Sequence, residues 1–229
     1  MKIIQRYKEI SMHRKNFDIV TNNIHYPIAS FLCTLISFSR ITPNMVTFFA
    51  FLSELGAVGL ILINLIKYRF LIVLLLQFGW IFDLMDGMLA RYKKLGFYHP
   101  INPSLKGYYW DSVSDHALRL LVLTSLGYYL TQQNQNWVIL AFLGISIHAI
   151  TQVEHILRDF ILKNADENKS GNGNSNSLIN HFVLLINNIY LYYFIFILWN
   201  RIELLFIFLP AFQFMLLIKR FFQFSFSDY

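Results

Sequence analysis

After Pro43 the chain consists almost entirely of six apolar stretches, near residues 44–65, 70–91, 107–130, 137–161, 178–199 and 202–220. Each approaches the roughly 20 residues that an α-helix needs to cross a bilayer. Inside hydrocarbon a spanning segment must satisfy its backbone N–H and C=O groups internally, so the expected fold is all-α, a six-helix transmembrane bundle. Composition agrees: 56% of the 229 residues are hydrophobic and 14% charged, against roughly 25% charged in a soluble domain. The net charge of +6 is no sign of a nucleic-acid partner, because such a module carries a dense charge field and few apolar residues. The single cysteine, Cys33, excludes an internal disulfide and a thiolate metal cluster.

Ahead of the spans lies a basic stretch with Lys2, Arg6, Lys8, Arg14 and Lys15, without the apolar core of a cleaved signal peptide. The apolar run from Tyr26 to Phe38 is too short to span and predicts a juxtamembrane helix lying in the interface. Residues 1–42 thus form a cytoplasmic and interfacial N-terminal region, and residues 43–229 the six-span domain. Thr42 followed by Pro43 predicts an N-cap and first-turn proline at the first span. The Asn-, Ser- and Gly-rich segment 163–177 predicts a loop.

The basic residues set the orientation, because cytoplasmic loops retain Lys and Arg. Fifteen of the 19 fall in the N-terminal region, the second-to-third and fourth-to-fifth connections and the C-terminal end. Only Lys67, Arg69 and Arg201 lie on the other side, with Arg119 inside a span. Both termini, and the ends of the spans flanking residues 91–107, are therefore expected at the cytoplasmic face.

Charges inside a bilayer are costly and rarely kept without a purpose. Asp83 and Asp86 stand near the end of the second span with Gly87, Ala90 and Arg91, and Gly107, Asp111 and Asp115 open the third. Spacings of three and four place each group on one helical face, so the two carboxylate pairs can face each other across an antiparallel helix pair. Four clustered carboxylates repel unless they take up protons or divalent cations neutralise them. All-oxygen ligation favours Mg2+, Mn2+ or Ca2+ over zinc, and four carboxylates can hold two ions, as in two-metal phosphoryl-transfer sites. The glycines and the alanine leave room for a nucleotide or diphosphate, and Arg91 can pair with phosphate.

At these residues the sequence resembles the CDP-alcohol phosphatidyltransferase family, whose signature is two helical halves, Asp-x-x-Asp-Gly-x-x-Ala-Arg and Gly-x-x-x-Asp-x-x-x-Asp. Every fixed position is present: Asp83, Asp86, Gly87, Ala90, Arg91, Gly107, Asp111 and Asp115. One departure is the spacer between the halves, residues 92–106, which is longer than the family's usual pattern. The Thr42-Pro43-Asn44 opening with Thr47 a turn later is also similar to the family's first helix. The resemblance implies a membrane transferase of phospholipid biosynthesis that moves a substituted phosphate group from a CDP-linked alcohol to an acceptor hydroxyl and releases CMP. CDP-diacylglycerol is the favoured donor. The resemblance further implies Mg2+ or Mn2+, two ions, held by Asp83, Asp86, Asp111 and Asp115, with Asp115 also the general base. Gly87, Ala90, Arg91 and Gly107 would surround the cytidine nucleotide, with Asn44 and Thr47 as neighbours. A homodimer is expected on the same ground.

Two alternatives stay open. A soluble CDP-choline or CDP-ethanolamine type donor could meet a lipid alcohol, and a cation transporter or channel could use the same carboxylates. The clustering of the acids at one membrane face, rather than along a path, weighs against transport. Candidate acceptor-binding residues are Arg119, His148, His155 and Arg158; His148, Gln152, His155 and Asp159 form one polar stripe whose plainer reading is interhelical hydrogen bonding. Arg119 needs a partner, either Glu54 or an anionic group of a substrate. Trp80, Trp110, Trp137 and Trp199 are expected in interface belts, and the abundant Phe and Tyr as lipid-facing bulk.

Overall fold

The computed structural model describes residues 2–101, 106–165, 184–185 and 188–226. Among these the chain is helical throughout its regular structure. Helix α1 spans Lys2–Ser11, and a π-helical turn at Thr21–His25 runs directly into α2, Tyr26–Ile36. Then come α3, Pro43–Lys93, α4, Lys106–Gln133, α5, Val138–Ala165, α6, Ile189–Leu198, and α7, Ile202–Phe226. The expected short helix after Tyr26 is α2, and Lys2, Arg6 and Lys8 of the preceding basic stretch lie in α1.

Helix α3 opens as the Thr42-Pro43 pair predicts: Thr42 is extended (φ −96°, ψ 159°) and its hydroxyl accepts from Met45 N at 3.4 Å. Its 51 residues hold two of the expected spans, separated by a single residue, Asn64, with φ −168° and ψ 95°. The Asn64 side chain accepts from Lys67 N at 3.0 Å and so caps the second arm as an N-cap residue does. The arms, 43–63 and 65–93, double back on each other. Ser53 Oγ donates to the Leu75 carbonyl at 2.8 Å, and a Cβ placed on Gly79 would stand 2.5 Å from Glu54 Cγ. Residues 66–69, expected as a loop, are helical because the Asn64 cap restarts the helix before them.

Three segments are long and apolar enough to cross a membrane: Pro43–Lys93, Gln135–Glu154 and Ile202–Arg220. The six-span expectation is only partly met among the described residues. In α4 the polar motif residues lower the apolar content of what was read as the third span, and α6 has ten residues, with 178–183 of its expected span outside the described set. Helix α5 runs through Ala165, so residues 163–165 of the expected loop are helical, and the rest of that segment lies outside the described set.

The apolar interior joins both arms of α3 to α4, α6 and α7 through buried Leu65, Leu76, Met88, Leu123, Tyr193 and Phe206. Phe48, Leu62, Ile63, Phe70, Ile139 and Phe142 face outward, as suits lipid contact. Because lipid tails are as apolar as the helices, close packing must hold the bundle together. Glycine supplies it: a Cβ on Gly144 of α5 would lie 2.6 Å from Phe206 Cδ1 of α7, and one on Gly127 of α4 would lie 3.2 Å from Ile145.

Helix α2 lies on the second arm of α3 with Cys33 buried at their contact, its thiol donating to the Met85 carbonyl at 3.3 Å. Burial, reinforced by the nearby Asp86 charge, pushes the Cys33 thiol up to about 12. A thiol with so raised a value stays protonated through neutral and mildly alkaline pH, and the thiolate is the reacting form. Maleimide at pH 8 is therefore expected to leave Cys33 unmodified in the folded protein and to label it fully after denaturation, as read by intact mass. Rapid labelling of the folded protein would contradict this packing.

Candidate active site

The second arm of α3 carries Asp83, Asp86, Gly87, Ala90 and Arg91 toward its C-terminal end. Gly107, Asp111 and Asp115 lie in the opening turns of α4, which packs against α3. Each half of the motif thus lies on one helix, as the spacings predict, and the long connection between them contains the short 3-10 turn Gly96–Tyr98. The side chain of Asp111 lies outside the described set.

Asp86 and Asp115 each have a side-chain partner. Asp86 is buried and accepts from the Thr47 hydroxyl at 2.6 Å across the α3 hairpin, so Thr47 is brought to the site as expected. Asn44, one turn earlier, is exposed. Asp115 Oδ2 lies 3.3 Å from Arg119 Nη2, a pair one helical turn apart with both side chains about one-fifth exposed (19% and 23%). The Arg119 charge also feels Asp83 of α3. The Arg91 guanidinium folds back over Gly87, where a Cβ would lie 3.3 Å from Nη1, and its Cζ is 5.9 Å from the Tyr98 ring centre. Gly87 therefore makes room for its own neighbour's cation.

Glu54 was one candidate partner for Arg119. The structure instead gives Glu54 the Tyr190 hydroxyl, which donates to Oε1 at 2.7 Å, while Arg119 pairs with Asp115. Tyr190 lies between the two charges, its ring centre 5.9 Å from Arg119 Cζ and stacked on Trp80 at 4.8 Å. Trp80 is thus a core residue and not part of an interface belt. Trp199 is exposed as a belt residue would be, and the Trp110 side chain lies outside the described set. Tyr190 was hidden in a run of aromatic residues read as lipid-facing bulk; the available signal was Glu54 itself, a mid-span acid that needs a donor.

Of the acceptor candidates, His148 is buried on α5, where its Nδ1 meets the Gln213 side-chain amide of α7 at 2.9 Å. His148 thus makes the interhelical bond expected of the stripe's plainer reading, and Glu154 and Arg220, outside the stripe, join the same two helices at 2.6 Å. The side chains of His155 and Arg158 lie outside the described set. Of the two described candidates, Arg119 reaches a motif carboxylate, that of Asp115.

No group of three or more His, Cys, Asp or Glu residues converges as a metal centre among the described residues. The donors nonetheless fit a hard cation: they are carboxylates without Cys or His, on two helices packed together, with the buried Asp86 oriented by a hydroxyl.

Fold and site define a helical membrane protein with the motif's carboxylates carried on two helices that pack together. The model of the CDP-alcohol phosphatidyltransferase family matches residues 40–219, a range that contains all eight motif residues, and the chain belongs to this family. Its class of reaction is transfer of a phosphate group from a CDP-alcohol to an acceptor. No curated protein matches the chain.

Because Tyr190 donates to a buried carboxylate, Tyr190→Phe leaves Glu54 short of a donor. The expected loss is about 1–3 kcal/mol of stability, measured by thermal unfolding in detergent. An unchanged melting temperature would show that Glu54 is satisfied in another way.

Proposed function

We propose that the protein transfers the phosphatidyl group of CDP-diacylglycerol to the hydroxyl of a small polar acceptor, in phospholipid biosynthesis at the cytoplasmic membrane face. The observation that carries this reading is the placement of Asp83 and Asp86 on α3 and of Asp115 on α4, two helices packed together, with Arg119 paired to Asp115. A cation beside Asp115 suits a small anionic acceptor more than a lipid alcohol, which favours the lipid on the donor side.

Asp83, Asp86, Asp111 and Asp115 would hold two Mg2+ or Mn2+ ions, which when bound neutralise the diphosphate and the charge that develops on the leaving CMP. The acceptor oxygen attacks the phosphorus that carries the diacylglycerol. The bond from that phosphorus to the CMP oxygen breaks, and the acceptor proton passes to the Asp115 carboxylate. Arg119 fixes one oxygen of that carboxylate. Thr47 fixes Asp86. Arg91 and the small residues Gly87, Ala90 and Gly107 would receive the cytidine diphosphate, with Gly87 giving the Arg91 guanidinium its room. Fifteen of 19 basic residues lie on the side where this end of α3 opens, which is where a donor with a cytosolic nucleotide would arrive.

The direct test incubates purified protein with labelled CDP-diacylglycerol, and separately with CDP-choline or CDP-ethanolamine, across a panel of acceptors, and measures CMP. CMP from CDP-diacylglycerol with a polyol phosphate, serine or inositol is the expected result. CMP only from the soluble donors with a lipid alcohol would reverse the donor assignment. In the productive reaction Asp115→Asn is expected to lower CMP release by about 10²–10⁴-fold, the contribution typical of a general base, with the melting temperature retained; near-normal turnover would remove Asp115 from that role. EDTA treatment is expected to abolish activity and added Mg2+ or Mn2+ to restore it. Full activity after exhaustive chelation would contradict the metal assignment.

A further inference from the structure

Residues 13–25 precede the family match, which begins at residue 40, yet they reach the motif directly. Arg91 Nε donates to the His13 carbonyl at 2.8 Å. A guanidinium carries its five donors in one plane, so fixing Nε also sets the direction in which Nη1 and Nη2 are presented above Gly87.

The segment that supplies this carbonyl is itself anchored by a buried carboxylate. Asp18 accepts from Val20 N at 2.9 Å, from Thr21 N at 3.0 Å and from the Thr21 hydroxyl at 2.7 Å. Its fourth donor comes from the far end of the chain: Asn188 Nδ2 donates to Asp18 Oδ2 at 2.9 Å. Asn188 is the N-cap of α6, and its Oδ1 accepts from Tyr190 N and Leu191 N at 3.1 and 3.3 Å. The amide is therefore committed on both sides. Next to Asp18, Phe17 packs on Trp80 with ring centres 5.7 Å apart, and Lys15 N donates to the Tyr26 hydroxyl at 3.0 Å. A carboxylate buried among neutral donors is an expensive anchor for a segment that only connects two helices.

We propose that residues 13–25 are a positioning element of the donor site, in which the Asp18–Asn188 pair holds the His13 carbonyl against Arg91 and so aims the guanidinium at the diphosphate of a CDP-linked donor. This rests on the nucleotide role proposed above for Arg91. Asp18 and Asn188 are positioning residues, since they act through Arg91.

The pair lends itself to an exchange experiment. Asp18→Asn turns an amide against the Asn188 amide, or against the N–H groups of Val20 and Thr21 if it rotates. Asn188→Asp sets two buried carboxylates together. The double exchange, Asp18→Asn with Asn188→Asp, restores one donor facing one acceptor and keeps an N-cap on α6, because Asp caps as well as Asn. With purified full-length protein, each single variant is expected to weaken CMP binding by calorimetry, and to raise the KM for CDP-diacylglycerol, by on the order of tenfold, the value of one hydrogen bond to a charged group. The KM for the acceptor should stay within about twofold, and the double variant should return CMP affinity to near that of the native protein. Thr21→Val, which removes one donor only, should show a smaller loss and serves if either single variant does not fold.

Wild-type CMP affinity in Asp18→Asn or Thr21→Val, equal losses for donor and acceptor, or no recovery in the exchanged pair would each overturn the proposal. Arg91→Ala separates the two readings: if it binds CMP as the native protein does, the nucleotide role of Arg91 fails, and the positioning role fails with it. If Arg91→Ala loses affinity and the Asp18 variants do not, only the positioning role is lost.

Discussion

A carboxylate placed between apolar helices must be given donors or be driven out to water, and Glu54 is such a group, 4% exposed in the middle of the first arm of α3. Gly79 on the facing arm leaves it space, and the Tyr190 hydroxyl supplies the donor. Tyr190 is in turn fixed on every side. Trp80 stacks on its ring, Gln77 donates to its carbonyl at 3.0 Å, and His25 meets the same Gln77 side chain at 2.9 Å. Both arms of α3, the opening of α6 and the turn before α2 therefore converge on one acid. Removing a partner from such a group costs more than the bond itself, because the remaining charge stays buried.

That cluster also sets the register of the carboxylate site. Arg119 of α4 lies over the Tyr190 ring, and the Arg119 carbonyl accepts from the Tyr193 hydroxyl at 3.5 Å. With Arg119 located, the residue one turn before it on the same face is Asp115, and the two are paired. On the other helix the hairpin that brings Glu54 to Gly79 also brings Thr47 to Asp86. Asp86 and Asp115 are thus placed by partners that the bundle itself holds in position.

The legible features of the sequence were local ones. A signature of Asp, Gly, Ala and Arg at fixed helical spacings declares which residues share a face, and Thr42-Pro43 declares a helix start, because both depend on neighbours within a turn. Three residues depended on distant partners and were hidden. Trp80 and Tyr190 look like membrane aromatics until they are placed against each other, 110 positions apart. Asp18 lies in a polar stretch, and its decisive donor is Asn188, 170 positions on. Periodicity reads a helix face, but it cannot read which face of which helix a polar group will meet.

The bundle is held together by different means in its two halves, and the division follows function. Where α4, α5 and α7 meet, glycines at 127 and 144 bring backbone and aromatic side chains into close contact, and the His148–Gln213 and Glu154–Arg220 pairs tie α5 to α7. Close packing of this sort is stiff but leaves no room for a ligand. Where α3, α4, α6 and the N-terminal segment meet, the contacts are hydrogen bonds between buried charges and neutral donors. These fix direction as well as distance, which packing alone does not. A site that must align a diphosphate, an acceptor hydroxyl and a base needs that directional control. The polar half of the bundle, including a stretch of chain outside the family-matched segment, is where the motif residues lie.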